Sequence, residues 1–264
     1  MDELTTEINS NKIDIAVVVE SWLKSDMPSA TFSIPGYQTI RRDREAKRGG
    51  GICVYIRNDT PYKYWIDLQQ NDIECVWITV FPKVMPRDVP NITIGAIYHP
   101  PQADHREMNQ YITSSLDQIK SKHPQTGIAL VGDFNQLPEW TITKHFKLQQ
   151  VVKEPTRGAN ILDKCFTNLQ TYYEKPTLSP HLGKSDHHAF IWSPQKQISY
   201  EKGHVSTKST RVSGKNERAM FVNDIRNTSW EPLYKLTNCD EMFAFFQCKI
   251  DELINKHFPL KTVT

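Results

Sequence analysis

The sequence predicts an α/β fold in which two packed, mostly antiparallel or mixed sheets are flanked by helices, with a helical tail at the C-terminus. Seven runs rich in valine, isoleucine and aromatic residues are bounded mostly by proline, glycine or asparagine, as is typical of short strands. Neighbouring runs often have no helix between them. This order argues against a doubly wound parallel sheet and favours two sheets packed face to face.

The predicted strands all lie within the first 194 residues. They span 13–19, 51–57, 73–80, 91–98, 127–133, 165–169 and 188–193. One long helix is predicted between the fourth and fifth strands, because four apolar residues recur there at helical spacing and Pro124 marks the end. These four are Met108, Ile112, Leu116 and Ile119.

The composition changes after Pro194. Residues 195–218 are polar and basic, which predicts a linker after a main domain at 1–194. The last segment, 219–264, is predicted to be helical. Its apolar stripe comprises Met242, Phe243, Phe246, Ile250, Leu253, Ile254 and Phe258. A lone helix cannot bury such a face, so the segment either docks on the main domain or belongs to something outside this chain.

The bulk composition excludes several classes of protein. With 38% hydrophobic and 23% charged residues in a chain of 264, the sequence is that of a globular protein rather than a disordered one. The formal net charge of +2 is too small to predict a polyanionic partner by itself. There is no run of about 18 apolar residues, so no membrane span and no membrane partner are predicted.

The N-terminus and the cysteines predict an intracellular protein. The first residues lack the basic start and the apolar block of a secretory signal peptide. The five cysteines are scattered and form no CxxC pair, which argues against a zinc site. We therefore expect reduced, buried thiols in a cytosolic or nuclear protein.

Polar side chains stand at the ends of five predicted elements. They are Glu20, Tyr98, Asp133 with Asn135, Asp163, and the run Asp186, His187 and His188. Each has an ordinary structural explanation when taken alone: a helix cap, a turn residue, a half-buried ring or a core histidine. Taken together, the five ends are explained more economically by one site that cleaves a phosphodiester.

Phosphodiester cleavage needs a hard cation and an activated water. Carboxylate oxygens are the ligands that Mg²⁺ prefers, and Glu20 with Asp186 or Asp133 is a suitable set. Neither a GxSxG nucleophile motif nor a P-loop is present in the sequence. The chemistry predicted is therefore metal-assisted hydrolysis.

The remaining polar residues suit proton transfer and charge stabilisation. His187 can accept or donate a proton near neutral pH, and Asp163 can hold its ring in one tautomer. Asn135 and Tyr98 offer neutral donors to the non-bridging phosphate oxygens.

A basic stretch, RRDREAKR, precedes three glycines, Gly49–Gly51. It is either a solvated hairpin with a flexible tip or a surface that follows a DNA backbone. In the second interpretation the contacts come from Arg41, Arg42, Arg44, Lys47 and Arg48. Thr156 and Arg157 are candidates for the rim of the same groove, and Lys184 and Ser185, beside Asp186, for direct phosphate contact.

Five motifs together resemble a known family. VVVESWL, GAIYHPP, VGDFNQLPEW, NILDKCFTN and GKSDHHAF occur in the order and approximate spacing of the endonuclease/exonuclease/phosphatase superfamily. The sequence is most similar to the apurinic-like endonuclease domain of non-LTR retrotransposons. The resemblance covers roughly residues 1–194 and implies a four-layered α/β sandwich with its site at one mouth.

The resemblance also implies a reaction and partners. The reaction is Mg²⁺-dependent nicking of DNA, with Mn²⁺ as an alternative metal, and it leaves a 3′-hydroxyl that primes reverse transcription in the nucleus. The tail from about residue 205 is similar to the connector that precedes a reverse transcriptase. Element RNA or a fused reverse transcriptase is thus a further implied partner.

By motif, the resemblance also assigns roles to the residues at the strand ends. Glu20 is the metal carboxylate and Asp186 lies beside the metal. The other roles fall to Asp133 and Asn135, which position water and phosphate, to Tyr98, which contacts phosphate, and to Asp163, which supports His187. The resemblance leaves open whether Asp133 or His187 takes the proton.

One departure from the family pattern lies at the N-terminus. The family's first strand carries an Asn of the metal-site network, and a helix follows it. Here MDELTTEINSNKIDI is similar to the end of that helix, and Asn9 and Asn11 are poor substitutes for the missing Asn. The expectation is an N-terminally truncated domain with impaired activity. The alternatives are therefore an inactive retroelement remnant, or a phosphodiesterase of the same fold that acts on small phosphate esters.

Overall fold

The structure is a computed structural model that describes residues 1–44, 49–195, 208–211 and 214–263. It divides into two compact units, Met1–Ile198 and Ser199–Thr264. The segment predicted to be a linker lies largely outside the described residues.

The described residues of the first unit form three α-helices and eleven strands. The helices are α1 (Asp2–Ser10), α2 (His105–Lys122) and α3 (Trp140–Phe146), with short 3₁₀ helices at Ser29–Thr31 and Ile66–Leu68. The strands are β1 (Ile15–Val19), β2 (Tyr37–Arg42), β3 (Ile52–Arg57), β4 (Tyr62–Tyr64), β5 (Glu74–Val80), β6 (Ile92–Tyr98), β7 (Gly127–Asp133), β8 (Gln149–Gln150), β9 (Asp163–Thr167), β10 (Thr177–His181) and β11 (His188–Ile191). All seven predicted strands are present, with β9 beginning two residues earlier than expected. The strands β2, β4, β8 and β10 were not predicted, because they are short or polar and therefore show no alternation of apolar and polar residues.

The strands of this unit form three sheets. A six-stranded sheet has the order β4-β5-β6-β7-β9-β8 and is antiparallel except for the parallel pair β6 and β7. Helix α2 forms the crossover between those two strands, as a parallel pair requires. A three-stranded antiparallel sheet has the order β1-β3-β2, and β10 pairs with β11. The mixed α/β class is therefore confirmed.

Three hydrophobic clusters separate four layers. One lies between α1 and the outer face of the three-stranded sheet, the second between the two large sheets, and the third between the six-stranded sheet and helices α2 and α3. The cluster between the two large sheets is termed the middle cluster. Strand β3 shows the pattern clearly, since Val54 and Ile56 face the middle cluster while Cys53 and Tyr55 face the α1 side. A strand buried on both faces needs a continuous apolar run, and each such side chain contributes roughly 1.5–3 kcal/mol.

Helix α2 is bounded as its sequence predicts. The carboxylate of Asp104 caps the N-terminus by accepting from the backbone N–H groups of Arg106 and Glu107, at 2.7 and 3.0 Å. The helix ends at Lys122, two residues before Pro124. Its four predicted apolar residues are all buried against the six-stranded sheet.

The second unit contains α4 (Lys215–Asn227), α5 (Glu231–Tyr234) and α6 (Cys239–His257), with the paired strands β12 (Lys208–Arg211) and β13 (Leu260–Val263). Helix α4 begins inside the segment predicted to be a linker. Helices α4 and α6 are joined at Asp224, which bonds His257 Nε2 and Lys256 Nζ at 2.8 Å each. Phe243 and Phe246 of the predicted apolar stripe are exposed.

The expectation of buried thiols is confirmed for three of the five cysteines. Cys53, Cys75 and Cys165 are free and buried, but Cys239 and Cys248 are exposed on α6, because that helix is only partly covered. Among the described residues, no helix is both long enough and apolar enough to cross a membrane.

Candidate active site

Four polar side chains form one row across adjacent strands of the six-stranded sheet. The strand register pairs Glu74 with Tyr98, Tyr98 with Asp133, and Asp133 with Asp163. Residues that pair directly project from the same face of a sheet. The row therefore lies at one end of the sheet, and three of its members were predicted from the sequence; Glu74 was not.

The row continues the middle hydrophobic cluster out to the edge of the sheet. Further along the same strands, the side chains that point to the same face as the row are apolar and pack in that cluster. Val76, Ala96 and Val131 are examples. Because side chains alternate with a period of two, the next inward position on β6 is Tyr98 and on β7 is Asp133. The polar residues thus stand where the two sheets open, and not on the helix-covered face.

Glu20 reaches the row from the opposite sheet. It follows β1 directly, and its backbone is left-handed with φ +52°. Val17 and Val19 face the middle cluster, so regular alternation would turn Glu20 away from it. The left-handed turn brings its carboxylate to Tyr98, whose Oη donates a hydrogen bond to Glu20 Oε1. Burial and then this hydrogen bond raise the pKa of Tyr98, so the phenol stays protonated.

The GDFN motif forms a tight turn after β7. Asp133 accepts from the backbone N–H of Asn135 at 2.9 Å and from its Nδ2 at 3.1 Å, and that Nδ2 also donates to the carbonyl of His99 at 2.8 Å. Asn135 has φ +44°, a conformation that asparagine tolerates. Gly132 has φ +135°, and a Cβ there would lie 2.0 Å from the carbonyl oxygen of Ile97. This position therefore admits only glycine.

Asp133 is 4% exposed, and its burial has an electrostatic consequence. Desolvation raises the pKa of its carboxyl group to about 6, and the charges of Asp163 and Glu20 act in the same direction. The backbone hydrogen bond from Asn135 and the charge of His187 oppose this shift. A carboxyl group with this pKa can hold or release a proton near neutral pH.

Asp163 and His187 form the second half of the site. His187 Nδ1 lies 2.7 Å from Asp163 Oδ2. Asp163 is fixed in turn by Thr156, whose Oγ1 accepts from its backbone N–H at 3.0 Å. Ser185 Oγ accepts from the backbone N–H of His187 at 3.1 Å. The predicted rim position of Thr156 was wrong, because this residue is completely buried and supports Asp163 instead.

Asp186 lies beside this pair and is 67% exposed. Its Oδ1 is 4.0 Å from His187 Nε2, and its Oδ2 is 2.7 Å from Arg157 Nη2. Desolvation raises the pKa of Asp186, but the hydrogen bond from Arg157, a backbone hydrogen bond and the charges of Arg157 and His187 together lower it below its ordinary value. Arg157 is therefore ion-paired with Asp186 at the site, and its side chain is half exposed.

The donor set suits a hard divalent cation. Across the part of the chain that the structure describes, no three carboxylate, imidazole or thiolate side chains lie close enough to hold one ion. Mg²⁺, however, uses one or two carboxylates and retains several waters. Glu20 is an exposed carboxylate at the mouth, and Asp133 and Asp163 supply further negative charge behind it. The residues present therefore fit such an ion, with Glu20 as the accessible ligand.

The basic residues have varied environments. Arg41 donates to backbone carbonyl groups within 24–27, Arg42 to those of 70 and 71, and Arg44 to a buried glutamate. Lys184 and Ser185 are exposed beside the site, whereas Lys47 and Arg48 lie outside the described residues. Contact of any of these side chains with DNA stays a prediction.

A family model matches the chain over residues 1–193, and it describes the endonuclease/exonuclease/phosphatase family. The chain belongs to this family. The endonuclease/exonuclease/phosphatase family comprises hydrolases, both nucleases and phosphatases, that generally use divalent metal ions. No curated protein is significantly similar to the chain.

Solved structures of the family share the fold. The endonuclease domain of TRAS1, a telomere-specific non-LTR retrotransposon, has a TM-score of 0.58 at 14% identity, over 73% of this chain and 90% of its own. AP endonuclease LMAP from Leishmania major has a TM-score of 0.55 at 15% identity, over 74% and 82%. An endonuclease/exonuclease/phosphatase from Bacteroides vulgatus has 0.50 at 16% identity, over 74% and 89%. At these identities the likeness shows the fold alone.

Proposed function

We propose that this chain is a Mg²⁺-dependent DNA endonuclease that nicks a target strand and leaves a 3′-hydroxyl for reverse transcription. The observation that carries the proposal is the row of Tyr98, Asp133 and Asp163, joined by Glu20 from the other sheet and by His187. It gathers the groups that phosphodiester hydrolysis needs, and it contains neither a serine nor a cysteine nucleophile.

The hydrolysis has a simple balance of atoms. The oxygen of a water molecule bonds to phosphorus, the bond from phosphorus to O3′ breaks, and a proton passes to O3′. A bound divalent ion supplies charge neutralisation for the phosphate and lowers the pKa of a bound water. The residues of the chain orient the phosphate and move the protons.

We assign to Asp133 the role of accepting a proton from the attacking water. Its pKa of about 6 leaves it ionised at neutral pH and basic enough to take a proton. Asn135 shares two hydrogen bonds with it and is thereby positioned for the phosphate.

We assign to His187 the role of donating a hydrogen bond to the phosphate or a proton to the leaving oxygen. An Nδ1–H bonded to Asp163 leaves Nε2 facing the substrate, which is the orienting role of a carboxylate behind a histidine. Tyr98 has its phenol at the same mouth, and a protonated phenol can donate to a non-bridging oxygen.

DNA is favoured over a small phosphate ester by the basic residues at the mouth. Arg157 is bonded to Asp186, Lys184 is exposed two residues before it, and Arg41 and Arg42 end β2 just before Arg44, which pairs with Glu74 of the row. The groups of the site itself need to contact only one phosphate. A small ester does not need so long a positive rim. Similarity to the TRAS1 endonuclease domain supports the same substrate class and the link to retrotransposition.

The test is nicking of supercoiled plasmid with Mg²⁺ and with a chelator. Replacing Asp133 or His187 by alanine is expected to lower the rate constant about 10²- to 10⁴-fold, because a proton-transfer group is lost. Binding of DNA should stay nearly unchanged. Equal nicking by parent and variants contradicts the assignment.

A second His–Asp pair provides the matched control. His145 Nε2 lies 3.5 Å from Asp117 Oδ1, and both side chains are more than half exposed on α3 and α2. Alanine at either position is expected to leave nicking unchanged. Phosphate release from small esters without plasmid nicking indicates the alternative phosphodiesterase.

A further inference from the structure

Glu74 is a buried carboxylate in the row of site residues and has no role in the chemistry above. It is the first residue of β5, is 8% exposed, and is paired directly with Tyr98 in the strand register. An ionised carboxylate inside a protein is stable only with a cation or strong donors beside it. Its partners therefore identify what it does.

Two groups satisfy Glu74. Arg44 Nε donates to Oε1 at 2.7 Å, and the Nη2 of the same guanidinium donates to that oxygen as well. The backbone N–H of Gly51 donates to Oε2 at 2.5 Å. The guanidinium carbon of Arg44 lies 5.4 Å from the centre of the Tyr98 ring. Glu74 thus holds a fixed positive charge against the phenol that bonds Glu20.

A second connection runs through the backbone to Glu20. The carbonyl of Gly51 accepts from the N–H of Ser21 at 3.2 Å, and that of Gly50 accepts from the N–H of Trp22 at 3.0 Å. Ser21 follows Glu20 in the chain. The contacts therefore run from Glu74 through Gly51 and Ser21 to Glu20. From Glu20 they return through its bond with Tyr98, which pairs with Glu74 in the strand register.

The glycines make these contacts possible. Gly50 and Gly51 have φ +75° and +85° and are buried. A Cβ on Gly50 would lie 2.5 Å from the guanidinium of Arg44 and 2.6 Å from Glu74 Oε2. The expected flexible glycine tip is therefore, at these two positions, a segment packed against an ion pair.

We infer that Glu74 and Arg44 are positioning residues of the active site. Glu74 orients the Arg44 guanidinium against Tyr98 and, through Gly51, fixes the left-handed turn at Glu20. The inference rests on the proposed function for its kinetic test, because it assigns these two residues to the geometry of the same site. It replaces direct DNA contact as the role of Arg44.

The two roles of Arg44 differ in measurable ways. A direct phosphate contact adds to the salt dependence of DNA affinity, and its loss reduces the slope of log K against log salt by about one. A positioning residue changes kcat, with little effect on the dissociation constant or on the slope. Residues behind a site ligand are typically worth about 10- to 100-fold.

The experiment compares Glu74→Gln, Arg44→Gln, the double variant and Arg44→Lys in the full chain. Each single glutamine variant should lower kcat about 10- to 100-fold with KM and the salt slope unchanged. The double variant should be no worse than either single one, because both act through one contact. Arg44→Lys should recover part of kcat, since it retains the charge and loses the bidentate fork. Arg57→Gln is the control, because that guanidinium is paired with Asp14 and Asp59 at the far end of β3 and not with the site.

Hydrogen exchange provides a readout that does not depend on activity. The Gly51 amide is bonded to Glu74, so its exchange should accelerate at least about 10-fold in Glu74→Gln and stay unchanged in Arg57→Gln. The double variant removes both buried charges, so it keeps the comparison possible if a single variant unfolds. Unchanged exchange at Gly51, or a salt slope that falls in Arg44→Gln while Glu74→Gln keeps full kcat, overturns the inference. A parent protein that does not nick DNA overturns the proposed function alone.

Discussion

Asp133 is a carboxyl group that the fold buries although its ionised form is the useful one. Its folded pKa of about 6 lies above the ordinary value of 3.8, first because of desolvation. Between about pH 4 and pH 6 the folded protein therefore holds a proton that the unfolded chain has released. Stability falls as the pH rises through this window and stays lower above it. The site thus carries a stability cost at neutral pH.

We therefore expect Asp133→Asn to be more stable than the parent at about pH 7.5 and equally stable at about pH 4. The gain should be about 1–2.5 kcal/mol, because a shift of two pKa units corresponds to at most roughly 2.7 kcal/mol. Thermal melts of both proteins in metal-free buffer at the two pH values measure it. Asp117→Asn, at an exposed carboxyl group, should show no gain. An Asp133→Asn protein that is less stable at neutral pH contradicts the pKa argument.

At the same scale, the sequence identified most of the side chains that the structure brings together, and also the contact of Asp163 with His187, but not the contacts of Glu74 and Arg44. Tyr98, Asp133, Asp163 and His187 were recognisable because each stands at one end of an apolar run. Glu74 also begins such a run, but an acid before a strand is ordinary, and only its pairing with Tyr98 shows its place. The ion pairing of Arg44 was equally hidden, because its partner lies thirty residues away in the chain.

At the scale of elements, the strand register determines which side chains meet. A shift of β7 by one residue would turn Asp133 to the helix-covered face, since side chains alternate strictly. Gly132 lies next to Asp133 and opposite Ile97, where the two parallel strands approach too closely for a side chain. The sequence showed a glycine before the aspartate but could not show the carbonyl that excludes a Cβ.

Gly132→Ala is accordingly expected to destabilise the fold by at least about 3 kcal/mol and to abolish nicking. The Cβ would lie 2.0 Å from a backbone oxygen, so a rotamer change cannot relieve the contact. Gly158→Ala is the matched control, because Gly158 also has a positive φ, +55°, but has nothing within 4 Å of its Cβ position. It should cost only about 1–2 kcal/mol. Urea denaturation of both variants measures the difference, and equal costs contradict the close-approach explanation.

At the scale of the whole molecule, the sequence predicted the four layers better than the extent of each sheet. Continuous apolar runs correctly identified strands buried on both faces, such as β3, β5 and β6. Strand β2 carries Arg41 and Arg42 of the basic stretch and was not predicted, because its polar residues mask the strand period. The C-terminal segment was predicted only as an amphipathic helix, since its partner α4 has a weak apolar pattern of its own.

All three hydrophobic clusters, and every described member of the candidate site, lie within the first unit. A variant that ends after Gln195 is therefore expected to unfold cooperatively and to retain the nicking rate constant of the full chain, because folding stability comes mainly from buried apolar surface. A variant that ends after Leu182 is the contrasting control. It lacks β11, His187 and Trp192, of which Trp192 packs against the middle cluster, so it should lose both cooperativity and nicking. Calorimetry and the plasmid assay on the two variants measure this. Loss of the cooperative transition in the longer variant would show that the second unit is needed for the first to fold.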